Sequence, residues 1–193
     1  MRMLNAISWL AATSAMLLFG AGCSTQPVGP YSPLTEDSRQ TAKAEKLNQQ
    51  AADLMVDDPE KAEKLLRDAL TADLYHGPSH NNLGILYLKQ GKLYDAANEF
   101  EWARKLMPGH PDPRMNLAFT LESAGRVDEA LQMYATALEV YPDHIPTVQA
   151  LARLQVRAKK TDDRTERFLK EIALKGETEE WRVWARKQMA RAE

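Results

Sequence analysis

Residues 82–108 read NLGILYLKQGKLYDAANEFEWARKLMP. Leu83, Gly84 and Tyr87 recur at the spacing of one helical face, and so do Ala96, Phe100 and Ala103 further along. Gly91 separates the two patterns, at a place where a left-handed residue ends a helix at little steric cost. Pro108 closes the second pattern, because proline cannot continue the hydrogen-bond ladder. The run therefore reads as two helices joined by a tight turn.

Its residues return on both sides at a step of 34. Ala62, Ala96 and Ala130 form one series, and Asn48, Asn82 and Asn116 a second. Ala69, Ala103 and Ala137 form a third, and His76, His110 and His144 a fourth. A fixed period of this length marks an array of like supersecondary units, a solenoid rather than one globular core. Breaks at Asp57-Asp58-Pro59, Gly77-Pro78, Gly91, Pro108 to Pro111, Gly125 and Pro142 divide the chain into helix-length stretches. Asp58 reads as a cap with Pro59 at the first helical position. No stretch alternates with period two, so no sheet is expected.

These residues resemble a tetratricopeptide repeat array. Leu83-Gly84, Tyr87, Ala96, Phe100, Ala103 and Pro108 give nearly the whole repeat signature. Leu117-Ala118, Leu121, Ala130, Tyr134, Ala137 and Pro142 repeat it, with Leu121 in place of the usual tyrosine. An earlier unit keeps Ala62, Leu66 and Ala69 but has Gln49-Gln50 for the apolar-small pair. A fourth keeps Val148, Leu151-Ala152 and Phe168 but loses its small residues at Arg164 and Glu171. The resemblance implies an all-α, right-handed superhelical solenoid of about four helix-turn-helix units plus a C-terminal capping helix. The array spans 35–176, with units at about 43–76, 77–110, 111–144 and 145–176, and the cap lies in 177–193. Small residues such as Gly84, Ala96 and Ala118 let helices approach to roughly 8–10 Å. In the last helix, Trp181, Trp184 and Ala185 form an apolar stripe that either covers the solenoid's end or docks a partner.

The N-terminus is of another kind. Residues 1–22 run from Met1-Arg2 through an apolar core to Gly20-Ala21-Gly22, the pattern of a secretory signal segment. Cys23, the chain's single cysteine, follows directly. The arrangement resembles the bacterial lipoprotein signal, with Gly20 where leucine is usual. That resemblance implies lipid attachment at Cys23. An ordinary signal peptide or an uncleaved anchor are the alternatives. Ser24 in place of aspartate implies, by the same resemblance, the periplasm-facing leaflet of the outer membrane. Residues 23–34 hold three prolines and a glycine and read as a tether.

Nothing in the sequence reads as chemistry. The composition is 44% hydrophobic and 27% charged with a net charge of −2, which gives no electrostatic footprint for nucleic acid. No nucleophile elbow, zinc helix or phosphate loop occurs. Neither an enzyme, a cofactor, a metal nor a small-molecule substrate is expected. His76 and His80 read as straddling a turn, and His76, His110 and His144 as turn residues set about 10 Å apart. The carboxylates at Asp57-Asp58, Glu99, Glu101 and Asp162-Asp163 read as helix-start or solvated groups.

The asparagine series carries the functional expectation. In tetratricopeptide arrays the first helices line a concave groove, and the resemblance implies that Asn48, Asn82 and Asn116 grip a peptide backbone there. Ile85 and Lys89 share that face in one unit, and Met115, Phe119 and Ser123 in the next. The alternative is that the amides only satisfy a preceding turn. The expected role is an adaptor or assembly factor that holds an extended segment of another envelope protein. Contact with the membrane would be through the acylated Cys23 only. A self-associating envelope scaffold is the alternative, and small lipoproteins of this architecture resemble accessory proteins of pilus and secretin assembly.

Overall fold

The structure, a computed structural model, describes residues 39–191. The signal segment, Cys23 and the tether lie outside the described residues. Nine helices and no strand are found among them: α1 (Thr41–Leu54), α2 (Pro59–Ala72), α3 (Gly77–Lys89), α4 (Leu93–Leu106), α5 (Asp112–Ser123), α6 (Val127–Val140), α7 (Ile145–Ala158), α8 (Asp163–Lys175) and α9 (Glu179–Met189). They pair as α1–α2, α3–α4, α5–α6 and α7–α8, each second helix packing on the first helix of the next unit. First helices also touch one another, α1 against α3 and α3 against α5, and so form the inner wall of a right-handed superhelix.

The middle units close by fitting large side chains against small ones. Ala96, Ala103, Ala130 and Ala137 are fully buried, as are Phe100 and Tyr134. A Cβ on Gly84 would lie 2.7 Å from Phe100 Cε1, so the ring occupies the space that glycine leaves. Gly91 and Gly125 turn the chain from first to second helix at φ +74° and +77°, which side chains other than glycine rarely adopt.

The end units keep the architecture with other chemistry. In the first, Gln49 and Gln50 are exposed, and Ala51 one position later is fully buried in the core. In the fourth, Lys159 takes the left-handed turn position at φ 54°. Residues 160–162 then precede α8, where Asp162 accepts from Arg164 N and Thr165 Oγ1 accepts from Asp162 N at 2.9 Å. After the longer turn, two buried positions of α8 fall one residue later. Thr165 and Ile172 are buried where Arg164 and Glu171 stood in the strict period, whereas Phe168 stays buried in register, so only the two small-residue positions of the fourth unit have shifted.

A polar arrangement fixes one end of the array and an apolar one the other. Before α1, Arg39 donates to both Asp73 oxygens at 2.9 and 3.0 Å, Thr41 Oγ1 donates at 2.8 Å and the Tyr75 amide at 3.0 Å. Burial of Asp73 favours its neutral form, but these donors outweigh it and hold the carboxyl below its ordinary value. At the other end α9, capped by Thr178, packs on α8 with Ala185 fully buried. Trp181 and Trp184 meet edge to face at 5.4 Å, both partly buried against the core. No described helix is long and apolar enough to cross a membrane.

Candidate functional site

The inner wall carries an amide ladder that crosses unit boundaries. Asn82 Nδ2 donates to Asn48 Oδ1 at 2.9 Å, joining α3 to α1. Asn116 Nδ2 donates to Asn81 Oδ1 at 3.0 Å, joining α5 to α3. The periodic series is thus broken once, because Asn116 meets Asn81 and not Asn82. These amides bond to the neighbouring unit instead of to the turn before them. Each amide offers two N–H donors and a carbonyl acceptor, and the ladder uses only some of these. Among the described residues Arg153 Nε is the sole buried side-chain polar atom without a partner. Asn48 is buried at 7% exposure, whereas Asn82 and Asn116 are half-buried, so the exposed part of the ladder lies on α3 and α5.

The residues at helical spacing from the ladder amides differ in exposure. Ile85 and Met115 are half-buried against the core, whereas Lys89 is exposed. Phe119 is 43% exposed, an unusual share for a phenylalanine at a helix centre. Exposed Ser123 donates its hydroxyl to the Phe119 carbonyl at 2.8 Å, which leaves the hydroxyl oxygen as an acceptor. Cys23 lies outside the described residues.

A buried carboxylate, Glu122, with two partly exposed arginine partners borders this wall. Glu122 accepts from Tyr134 Oη at 3.0 Å and from Arg157 Nη2 at 2.9 Å, with Arg153 Nη2 at 3.5 Å. Burial raises the Tyr134 phenol far above its usual range and the Glu122 charge adds to this, so the phenol keeps its proton and donates. Arg153 also lies over Trp181 at 5.9 Å, which links α5, α6 and α7 to α9. The sequence reading missed Glu122 and Asp73, but a signal was present. Glu122 stands where other units have Leu54, Leu88 and Val156, and Asp73 where they have Met107 and Tyr141. A carboxylate at an apolar repeat position marks a buried ion pair in both cases.

The histidines correct the reading in detail. Gly77-Pro78 opens α3, so His76 is its N-cap and His80 lies within its first turn. His76 contacts Ser79 Oγ at 2.8 Å and Glu45 of the preceding unit at 3.0 Å. His80 is buried and contacts Glu99 at 2.6 Å, so Glu99 is not simply a solvated group. His110 and His144 both lie 3.5 Å from Asp112, closer to a common partner than one-unit spacing implied. No three metal-ligating groups converge among the described residues. A cleft of about 760 Å³ opens where Val156, Leu169 and Met189 meet Asp162, Glu166 and Arg191.

A tetratricopeptide repeat family model matches residues 87–154, from near the end of α3 into α7. Tetratricopeptide repeat protein 8 of Mus musculus is 24% identical over 100 residues, covering 52% of this chain and 19% of that protein. The chain spans about a fifth of the length of the curated relatives it matches. The first tetratricopeptide domain of Spaghetti, solved bound to an HSP90 peptide, superposes with a TM-score of 0.59 at 16% identity. That match covers 63% of this chain and 98% of the other. A tetratricopeptide repeat protein from Parabacteroides merdae ATCC 43184 gives a TM-score of 0.61 at 22% identity, covering 74% of this chain and 57% of its own. The described helices thus have the tetratricopeptide-repeat fold, and the sequence from Tyr87 to Leu154 matches the tetratricopeptide repeat family.

Proposed function

We propose that this protein is a non-enzymatic adaptor that holds an extended segment of another protein along its inner wall. The observation that carries the reading is the amide ladder, whose members Asn82 and Asn116 are only half-buried, with exposed Phe119 one turn beyond Asn116 on α5. An extended backbone presents N–H and C=O groups that such amides can pair with whatever the side chains are. Phe119 and Ile85 offer apolar contact, while Lys89, Arg153 and Arg157 favour a segment with an acidic residue. The Spaghetti domain, of similar fold, was solved with an HSP90 peptide, which supports a peptide as ligand.

The lipoprotein resemblance supports a place for this adaptor in the cell envelope. Lipid at Cys23 would anchor it to the outer membrane, with the array facing the periplasm and an envelope protein as its partner. Assembly of pilus or secretin components is the specific form of this role that the resemblance suggests. A self-associating scaffold is the second reading, favoured by Leu174 and Val183 near the last helix, 80% and 50% exposed.

Asn82→Ala/Asn116→Ala in the full chain, used for capture from envelope extracts, tests the adaptor. Loss of a partner that the unaltered, equally folded chain retains is expected. Identical partner profiles would reject the groove. Particle size measured over a concentration series separates the second reading, since a monomer at all concentrations removes the scaffold.

A further inference from the structure

We propose that the fourth unit sets the specificity of the inner wall: Arg153, oriented by Trp181, binds an acidic side chain of the extended segment, about three residues from an apolar side chain seated on Phe119. The proposal rests on the adaptor reading and says which segment the wall selects. Its starting point is a change of chemistry along the first helices. The amide series Asn48, Asn82 and Asn116 continues at the repeat step as Ala150, so the series ends at α7. At the same step Phe119 and Ser123 of α5 give way to Arg153 and Arg157 of α7. Amides pair with any backbone, whereas a guanidinium selects an anion.

Glu122 is the buried carboxylate that faces both arginines, and its needs are met without Arg153. Arg157 Nη2 lies 2.9 Å from it, and Tyr134 Oη donates to it at 3.0 Å. Arg153 Nη2 stays 3.5 Å away, beyond ordinary hydrogen-bond length, and Arg153 Nε is buried with no partner. Two guanidiniums against one carboxylate leave a surplus of one positive charge. The two arginines also stand four residues apart on one helix, where like charges repel. A second carboxylate, brought by a ligand, would relieve both.

The site is open to it. The Arg153 side chain is 39% exposed, and its guanidinium lies over the Trp181 ring at 5.9 Å, a face that attracts a cation. Trp184 meets Trp181 edge to face at 5.4 Å, so α9 directs Arg153 while it covers the solenoid's end. Exposed Phe119 precedes Glu122 by three residues on α5, which sets its ring and the guanidiniums along one stretch of wall. Packed helices lie roughly 10 Å apart, and an extended chain advances about 3.3 Å per residue. The apolar and acidic residues of the segment are therefore about three positions apart.

A library of random peptides, blocked at both ends and selected on the full chain, tests this. Peptides whose binding is lost in Asn82→Ala/Asn116→Ala define the ligands of the wall. Among them an aspartate or glutamate should recur about three residues from an aromatic or aliphatic one. Replacing that acid by its amide should weaken binding about tenfold or more on the unaltered chain. Arg153→Gln should weaken the acidic peptide to the same degree and leave the amide peptide unchanged, a selectivity that a purely structural role would not give. Arg153→Lys, which keeps the charge but not the planar fork, should fall between. Wall-dependent peptides without an acidic preference, or a preference that survives Arg153→Gln, would overturn this proposal and leave the adaptor reading standing. So would an affinity gained only when the peptide's C-terminal carboxylate is left free. The absence of any wall-dependent peptide would overturn both.

Discussion

The second and fourth units have the same two-helix shape but are held in it differently. In the second, glycine at position 84 admits the Phe100 ring, and Gly91 turns the chain without strain. In the fourth, Lys159 makes the left-handed turn, Asp162 and Thr165 cap α8, and Gln155 accepts from Thr165 Oγ1 at 3.0 Å. Small-into-large packing demands strict register, because each side chain fits one gap. Polar caps do not, and the fourth unit has moved two of its buried positions on by one, to Thr165 and Ile172, while Phe168 stays in register. The repeat is therefore a packing rule in the middle of the array and a backbone rule at its ends.

Substitutions can break this contrast. The largest effect is expected at Asp73, where Asp73→Asn leaves Arg39 facing an amide in a fully buried site. Breaking a buried pair typically destabilises by about 3–5 kcal/mol, and the half-open Arg39 places this one toward the lower figure. Because the folded carboxyl titrates below its ordinary value, its contribution is present above about pH 4 and lost as the pH falls through the folded value. Urea denaturation of both proteins at pH 7 and pH 3 checks this, and the difference between them should shrink at the lower pH. Gly84→Leu should destabilise by about 1–3 kcal/mol or more by overpacking against Phe100. Gln50→Leu, the same repeat position in the first unit, is exposed and should leave the melting temperature nearly unchanged.

Two further substitutions sharpen the comparison. Glu122→Leu restores the apolar repeat residue but leaves the Tyr134 hydroxyl buried without its acceptor, a loss of about 1–3 kcal/mol. Adding Tyr134→Phe should recover most of it, and chemical denaturation of all four proteins in the cycle measures the coupling. Lys159→Gly should stabilise by up to about 1 kcal/mol, since glycine takes the left-handed conformation without a Cβ penalty. A fall in melting temperature there would mean that the lysine side chain holds the turn.

What the sequence revealed follows the same contrast. The step of 34, the glycines at turns and the small-large pairs placed every helix of the middle units, because each residue there has one packing task. Asn48 and Asn82 stand out in the sequence as one series. Their bond to each other was not visible, nor was the pairing of Asn116 with Asn81, since neighbouring asparagines in α3 share the period equally well. Ala51 and Thr165 were hidden by the assumption of fixed register. Glu122 and Asp73 were hidden because a charge in a charged helix looks solvated until it is aligned with its apolar counterparts. His80 gave no signal, as its partner Glu99 lies on another helix.

Site-specific photo-crosslinking in the intact chain tests the inner wall as a binding surface most directly. A photoreactive residue at exposed Ser123, beside Phe119 on α5, is compared with one at Tyr94, which is 80% exposed on α4. Adducts to a partner from Ser123 and none from Tyr94 are expected. Adducts from Tyr94 alone, or equally from both, would contradict a segment held along the amide ladder.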